Sequence, residues 1–186
     1  MNANNSSVSS GSLLVAEPFL GDGNFVRSVV LVCEHSAAGT FGLVLNQATD
    51  LQLGDVIDDI YADLPLFVGG PVQQNTLHYL HRRPDLIEGS IRVEPDLYWS
   101  GDFEQVKQAI NIGTLTGDDI RFFLGYSGWD GGQLEYEIEL RSWIISRTTS
   151  DFLFNTPTDD FWREVLEQMG GLYGAIALYP TDPGLN

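Results

Sequence analysis

Apolar residues in this chain occur mainly in short runs bounded by glycine, proline or polar residues. Short runs rich in Val, Ile, Leu and Phe are typical of β-strands that are buried on both faces. The runs at 28–33 and 41–45 are separated by a short loop, which favours a hairpin. We predict strands at residues 12–16, 28–33, 41–45, 66–68, 76–81, 90–93, 97–99, 120–124 and 143–145.

Three other stretches carry apolar residues three or four positions apart, which is the spacing of an amphipathic helix. The first lies within residues 50–60, where the aspartates face away from the apolar stripe. The second follows Asp102, a favourable N-cap residue. The third covers residues 159–169 and stops at Gly170. Each stretch predicts a helix.

Residues 133–140 fit two patterns. Every second residue from Leu134 to Leu140 is apolar, as in a strand. The Leu134–Ile138 spacing and the glutamates between them also permit a helix that begins near Asp130. We favour the helix, because residues 143–145 then supply the next strand.

The order of these elements predicts an α+β fold. Strands and helices interleave without regular βαβ alternation, so we expect a single domain with a mixed, mainly antiparallel sheet packed by helices. A length of 186 residues suits one domain. We expect residues 1–10, rich in Asn and Ser, to form a flexible N-terminal tail and residues 11–186 to form the domain. The stretch after Tyr173 is expected to be a loop.

Charge restricts the possible partners. The chain has 26 Asp and Glu against 9 Lys and Arg, a net charge of −17, and its one lysine is Lys107. Nucleic-acid binding depends on Lys and Arg that neutralise phosphates, so we expect no binding to duplex DNA by the protein alone. The same charge disfavours an anionic membrane surface. It favours solubility and is compatible with a basic protein partner.

Cysteine usage and the N-terminal sequence predict a cytoplasmic protein. Cys33 is the one cysteine, which fits a reducing compartment, and its apolar strand predicts a buried, unreactive thiol. Residues 1–11 lack the basic and apolar regions of a secretory signal, and no apolar run approaches the roughly 18 residues that span a bilayer. The sequence contains no Walker, dinucleotide-binding or zinc-protease motif, so no cofactor is expected.

The three histidines do not predict a metal site. His78 and His81 point to opposite faces if their segment is a strand. A third ligand such as Glu34 or His35 would then have to come from a distant part of the chain. Structural or surface roles are the favoured interpretation of all three.

The segment Gly125-Tyr126-Ser127-Gly128-Trp129 is close to the G-x-S-x-G turn that presents a nucleophilic serine. Position 129 is Trp where that motif requires Gly. We therefore interpret the segment as a tight turn with a Trp anchor, and we assign no catalytic residue.

Polar and glycine residues that follow the apolar strands form a candidate binding surface. Strand-end loops often carry binding sites, glycine permits close approach, and Tyr and Trp combine apolar faces with polar tips. If the strand ends are neighbours in one sheet, these residues converge. Otherwise they are turns, with the Trp filling the core. The candidates are Glu34, His35, Asn46, Gly69, Gly70, Pro71, Gly125, Tyr126, Gly128 and Trp129.

Several segments together resemble the AlgH/YqgE family of bacterial proteins. They are GSLLVA at 11–16, FVRSVVLVCEH at 25–35, GLVLN at 42–46, GGPV at 69–72, GYSGW at 125–129, GQLE at 132–135 and EI at 137–138. The resemblance implies an α+β fold, a helix at 131–141 and a cytosolic protein without an established enzymatic activity. One member named the family through positive regulation of alginate production, so the resemblance also implies a transcriptional regulator. Ser127 and Gln47 depart from the Ala and Arg that the family usually has.

Two functions remain open at this point. The first is a non-enzymatic regulatory or protein-interaction role, favoured by the resemblance and by the missing catalytic motif. The second is a small-molecule binder or enzyme that uses a strand-end pocket around Glu34, Asn46 and Trp129. An exposed apolar patch without a pocket would favour the first, and a pocket with a bound ligand the second.

Overall fold

The apolar runs form ten strands in the computed structural model, which describes residues 7–179. The strands are β1 (Ser12–Ala16), β2 (Val29–Ser36), β3 (Gly39–Val44), β4 (Ala48–Gln52), β5 (Pro65–Val68), β6 (Val72–His81), β7 (Ile91–Glu94), β8 (Leu97–Trp99), β9 (Ile120–Asp130) and β10 (Trp143–Arg147). The α-helices are α1 (Phe103–Asn111), α2 (Gln133–Glu139), α3 (Ser150–Asn155), α4 (Phe161–Met169) and α5 (Gly171–Ile176). Short 3-10 turns lie at Gly23–Phe25, Leu53–Asp55 and Thr158–Asp160.

The ten strands form one curled sheet. Its order is β10-β1-β2-β3-β9-β6-β8-β7, and β5 pairs with both β4 and β9 beside this path. The β5–β9 pair is parallel, and all other strand pairs within residues 7–179 are antiparallel. The predicted α+β fold with a mixed, mainly antiparallel sheet is confirmed.

Strand β9 joins the two parts of the sheet. Its first half, around Phe122, lies between β5 on one edge and β6 on the other. Its second half pairs with β3, where Ser127 lies opposite Gly42. On that edge β9 therefore changes partner from β5 to β3, and the change occurs next to Gly69 and Gly70.

Three clusters of buried side chains pack helices against this sheet. The first includes Leu153 of α3 and Leu166 of α4. The second includes Val106 of α1 against Phe122 of β9. The third joins Leu134 of α2 to side chains of β1, β2, β9 and β10. Apolar burial of this kind contributes most of the favourable free energy of folding.

The predicted helices at 103–110, 133–140 and 159–169 are confirmed as α1, α2 and α4. The Asp102 side chain caps α1 by accepting hydrogen bonds from the backbone N–H groups of Glu104 and Gln105. No helix within residues 7–179 is both long and apolar enough to cross a bilayer.

The helix predicted within residues 50–60 is wrong. This segment instead contains the end of β4 and a single 3-10 turn. Pairing with β5 extends its first residues, and the Leu53 N–H donates to the Leu64 carbonyl. Asp59 adopts a φ of 63°, which is incompatible with an α-helix. Leu53 and Ile60 are buried all the same, but Val56 is 43% exposed, so the apolar spacing reports neither a helix nor a fully buried stripe.

Two strands extend further than predicted, and two helices were not predicted. The strand predicted to end before Glu34 continues to Ser36, because β3 supplies hydrogen-bonding partners for this extension. The strand predicted to end at Gly125 continues to Asp130, with Gly125 at a φ of 68° inside it. Helix α3 was not predicted, and α5 occupies part of the predicted C-terminal loop.

The start of β1 is tied to its neighbours by residues from the predicted N-terminal tail. Ser10 Oγ donates to the Cys33 carbonyl at 2.9 Å, and Arg147 Nη2 donates to Ser9 Oγ at 2.6 Å. Residues 1–6 of that tail, and 180–186 of the C-terminal stretch, lie outside the described part of the chain.

Candidate functional site

A cavity of about 450 Å³ lies at the tip of the β2–β3 hairpin, beside the end of β9. We call it the hairpin cavity. Four candidate residues line it together: Glu34, Tyr126, Gly128 and Trp129. The other lining residues are Ser36, Ala38, Gly39, Thr40, Phe41, Val72 and Asp130. Its charged side chains are both carboxylates, so the cavity has the negative sign of the whole protein.

An aromatic stack lies against the hairpin cavity. The Phe41 ring stacks on Tyr126 at a centroid distance of 4.7 Å and on Trp99 at 4.6 Å. The His78 ring meets Phe41 at 5.2 Å, and burial lowers the pKa of His78. The imidazole is therefore neutral near pH 7 and packs as one more ring. The buried Trp99 Nε1 has no hydrogen-bond partner among residues 7–179.

His35 lies on the opposite face of the hairpin from Glu34. A bulge at Cys33 places Glu34 across from Phe41 and His35 across from Thr40. His35 Nδ1 is 2.7 Å from Thr40 Oγ1, and Nε2 is 3.6 Å from a carboxylate oxygen of Glu135 on α2. The second distance is too long for a hydrogen bond. We interpret Thr40, His35 and Glu135 as a polar contact between the hairpin and α2, and not as a nucleophilic triad.

Asn46 lies away from the hairpin cavity and has a structural role. Its Oδ1 accepts the Val29 N–H at 2.9 Å, and its Nδ2 donates to the Arg27 carbonyl at 2.9 Å. Both ends of the amide thus join the segment after β3 to the start of β2 and to Arg27 just before it.

Gly69, Gly70 and Gly125 lie where β9 changes its partner from β5 to β3. A Cβ on Gly69 would overlap the Gly125 carbonyl, and one on Gly70 would overlap the Tyr126 carbonyl. The Gly69 carbonyl accepts hydrogen bonds from the Val44 N–H and from Ser127 Oγ. These glycines permit close backbone packing, so their chemistry is structural.

The two potential nucleophiles are enclosed. Ser127 has no exposed surface, and its hydroxyl donates a hydrogen bond to the Gly69 carbonyl. Burial raises the pKa of the Cys33 thiol well above its usual range, so the thiol stays protonated and unreactive. Cys33 is buried, as its apolar strand predicted, but the tight turn predicted at residues 125–129 is wrong, because these residues continue β9 and pair with β3.

A second cavity, of about 280 Å³, lies between β9, α2, β10 and the loop before β2. We call it the indole pocket. Candidates Pro71, Gly128 and Trp129 line it, together with Leu20, Asp22, Phe25, Gln133, Glu137, Ser142 and Trp143. Sequence reasoning missed Phe25, Glu137 and Trp143 as site residues. The available indication was that two tryptophans flank a helix that carries glutamates.

Glu137 organises the indole pocket. Its Oε2 accepts the indole N–H of Trp129 at 2.9 Å and that of Trp143 at 2.8 Å. Its Oε1 accepts from Gln133 Nε2 at 3.0 Å. One carboxylate therefore holds two aromatic side chains from different strands in fixed orientation.

His81 is fully buried as a neutral ring. Its Nδ1 accepts the Arg83 N–H at 3.2 Å, so the proton is on Nε2, which lies 3.0 Å from the Ser100 carbonyl oxygen. Burial lowers the pKa of His81, and this outweighs the opposite effects of Ser100 and Asp85. Within residues 7–179, no group of three or more His, Cys, Asp or Glu side chains is arranged to hold a metal ion.

This geometry predicts an acid-sensitive contribution to stability. The unfolded chain binds a proton at His81 near pH 6.5 and the folded chain only at lower pH, so stability falls as the pH drops through this window. The slope from one such group is at most about 1.4 kcal/mol per pH unit. We expect the free energy of unfolding, measured by urea titration between about pH 7.5 and pH 5.5, to fall less steeply in His81→Gln. Parallel curves for wild type and variant would contradict the assignment.

The sites are thus carried by an α+β protein with a curled, mainly antiparallel sheet. The sequence model of the AlgH-like family matches residues 13–174, and the chain belongs to this family. Two UPF0301 proteins are similar along nearly the whole chain. One, from Cytophaga hutchinsonii, is 47% identical over 95% of this chain and 98% of its own. The other, from Bacteroides thetaiotaomicron, is 39% identical over 99% and 94%.

Two solved structures have a similar fold. The AlgH protein from Pseudomonas aeruginosa, solved in solution, matches with a TM-score of 0.75 at 25% identity, over 97% of this chain and 98% of that one. A crystal structure of a Corynebacterium diphtheriae protein matches with a TM-score of 0.77 at 25% identity, over 96% and 95%. The family that the sequence segments indicated is therefore confirmed.

Proposed function

We propose that this protein has a non-enzymatic, regulatory role and acts by binding a basic protein partner. The observation that carries the proposal is a group of exposed apolar side chains in and beside α5, which we call the C-terminal patch. It consists of Phe19, Leu172, Tyr173, Leu178 and Tyr179. Exposed apolar patches of this kind often mark protein–protein interfaces.

The C-terminal patch is unusual for so acidic a protein. Leu172 is 74% exposed, Leu178 76% and Phe19 67%, and the Phe19 ring meets Tyr179 edge to face at 5.6 Å. No charged residue occurs between Gln168 and Tyr179, although the chain as a whole has a net charge of −17. The segment around α5 therefore contributes none of this negative charge, and a charged side chain that contacts it is Arg27, which donates a hydrogen bond to the Tyr179 carbonyl.

This distribution favours a basic partner over a second copy of the chain. Two copies would each bring a charge of −17, and their mutual repulsion opposes self-association. A basic protein would be attracted by the net charge of −17 and would then bury the apolar side chains. Attraction of this type speeds association and weakens with added salt.

The test compares wild type with the double variant Leu172→Glu, Leu178→Glu. A protein captured from the native host by tagged wild type is identified and purified, and its Kd is measured by calorimetry. We expect the double variant to bind at least about tenfold more weakly, because it places charge in a desolvated contact. We also expect the wild-type Kd to rise with salt.

Ile112→Glu is the matched control, since Ile112 is also 74% exposed but follows α1. It should bind the captured protein as tightly as wild type. Equal binding by the double variant would contradict the proposal. So would a wild-type dimer in sedimentation equilibrium that the double variant dissociates, because the patch would then be a self-interface.

Small-molecule binding in the hairpin cavity is the second candidate function. One observation favours it, which is that Glu34 and Trp129 line the same cavity, although Asn46 takes no part. Binding there would shift the amide resonances of Tyr126 and Gly128, whereas partner binding at the C-terminal patch would shift those of α5. NMR titration therefore separates the two candidates.

A further inference from the structure

We propose that the indole pocket is a binding site for an alkylammonium group. The walls are three aromatic rings in mutual contact, and a carboxylate is fixed between two of them. This inference goes beyond the proposed function, because it concerns a different ligand and residues outside the C-terminal patch.

The aromatic walls come from three separate elements. The Phe25 ring stacks on Trp129 at a centroid distance of 6.1 Å and meets Trp143 edge to face at 5.3 Å. The two indoles meet edge to face at 5.9 Å. Aromatic faces attract organic cations through the ring quadrupole, with Trp the strongest, and clusters of such rings recognise quaternary ammonium groups.

The charges of the lining specify the sign of the ligand. Asp22 and Glu137 line the indole pocket, and none of its lining residues is Lys, Arg or His. The hydrogen bonds to Glu137 come from two indoles and an amide, all of them neutral donors. Neutral donors orient the carboxylate without cancelling its charge, so a cation that enters meets a net negative field in a partly dehydrated site.

The residues that line the indole pocket also favour an organic cation over a metal ion. Metal ions such as Ca²⁺ require six or more oxygen ligands, and the indole pocket offers two carboxylates of which one is already bonded to three donors. Most of the remaining lining side chains are apolar or aromatic. A methylated or alkylated amine matches both parts of this surface, since it combines one positive charge with an apolar shell.

The site is tested by NMR titration of the full chain with choline. We expect saturable shifts of the indole N–H resonances of Trp129 and Trp143, which report directly on the pocket. The control ligand is dimethylbutanol, the uncharged carbon isostere of choline, and it should bind far more weakly because it keeps the shape and loses the charge. A short peptide with one trimethyllysine forms a second arm. Tighter binding of choline indicates a free amine as the ligand, and tighter binding of the peptide indicates a protein side chain.

Three variants test whether the Glu137 carboxylate and the aromatic rings bind choline. Glu137→Gln should weaken choline binding by about tenfold or more, because it removes the charge at nearly constant size. Glu139→Gln is the matched control on the same helix, does not line the pocket, and should bind as wild type. Phe25→Leu should weaken binding by about three- to tenfold while leaving the Glu137 contacts in place.

Several outcomes would overturn the proposal. These are equal binding of the uncharged isostere, equal weakening by Glu139→Gln, or absence of indole shifts with both cations at tens of millimolar. If Glu137→Gln does not fold, the isostere comparison on wild type and the Phe25→Leu titration still decide the question. Absence of cation binding in the indole pocket says nothing about partner binding at the C-terminal patch. The two proposals can therefore fail independently.

Discussion

Replacing Gly70 with alanine is expected to destabilise the protein by about 3–5 kcal/mol. Gly70 lies two residues after β5, against the backbone of β9, with a φ of 152°, which residues other than glycine rarely adopt. An alanine Cβ there would overlap the Tyr126 carbonyl and lie 2.5 Å from the Ser127 backbone nitrogen. Both neighbours belong to the backbone of β9, so neither can rotate away. The overlap can be relieved only if the backbone at Gly70 moves away from β9.

Urea unfolding of Gly70→Ala measures this loss, and Gly23→Ala is the control. Gly23 has no atom near its potential Cβ and no positive φ, so its substitution should leave the free energy of unfolding nearly unchanged. A Gly70→Ala variant as stable as wild type would show that the backbones of Gly70 and β9 do not approach this closely. Because Tyr126 lines the hairpin cavity, we also expect ring resonances there to shift.

Truncating Leu166 to alanine is expected to cost about 2–5 kcal/mol. Leu166 has no exposed surface, and it belongs to the cluster that packs α4 against the sheet with Phe161, Trp162 and Val165. Removal of three carbon atoms from such a cluster loses the burial free energy and leaves a cavity that rigid neighbours fill only in part.

Leu172→Ala is the comparison for this truncation. The same side chain is removed six residues further along, but Leu172 is 74% exposed and packs little. Its variant should keep wild-type stability in chemical denaturation. Equal stability of both variants would mean that α4 is not packed as described. Equal losses would mean that the C-terminal patch is part of the core.

The elements that sequence reasoning predicted well are those whose local pattern and tertiary environment agree. Strand β1 and helix α1 have the predicted type and nearly the predicted bounds, because an apolar run or an N-capped amphipathic stripe is sufficient to specify them. The helix predicted within residues 50–60 is wrong, because its apolar residues belong to a 3-10 turn and to flanking segments that pairing with β5 holds in place. Local spacing does not distinguish such a turn from a helix.

The candidate site was predicted in part. Glu34, Tyr126, Gly128 and Trp129 do share the hairpin cavity, but as strand residues and not as turns. His35 and Asn46 instead make structural contacts, which depend on a bulge and on two backbone groups that no motif encodes. Whether this cavity binds a ligand stays a prediction.

What the sequence by itself determined is the family, the fold class, the strong negative charge and the buried, unreactive state of Cys33, since each follows from composition or from patterns within a short segment. Only the tertiary structure decided that Glu137 holds Trp129 and Trp143 together beside Phe25. It also decided that α5 exposes its apolar residues. These features join segments far apart in the chain, and their contacts arise from strand order and packing, which periodicity along the chain does not record.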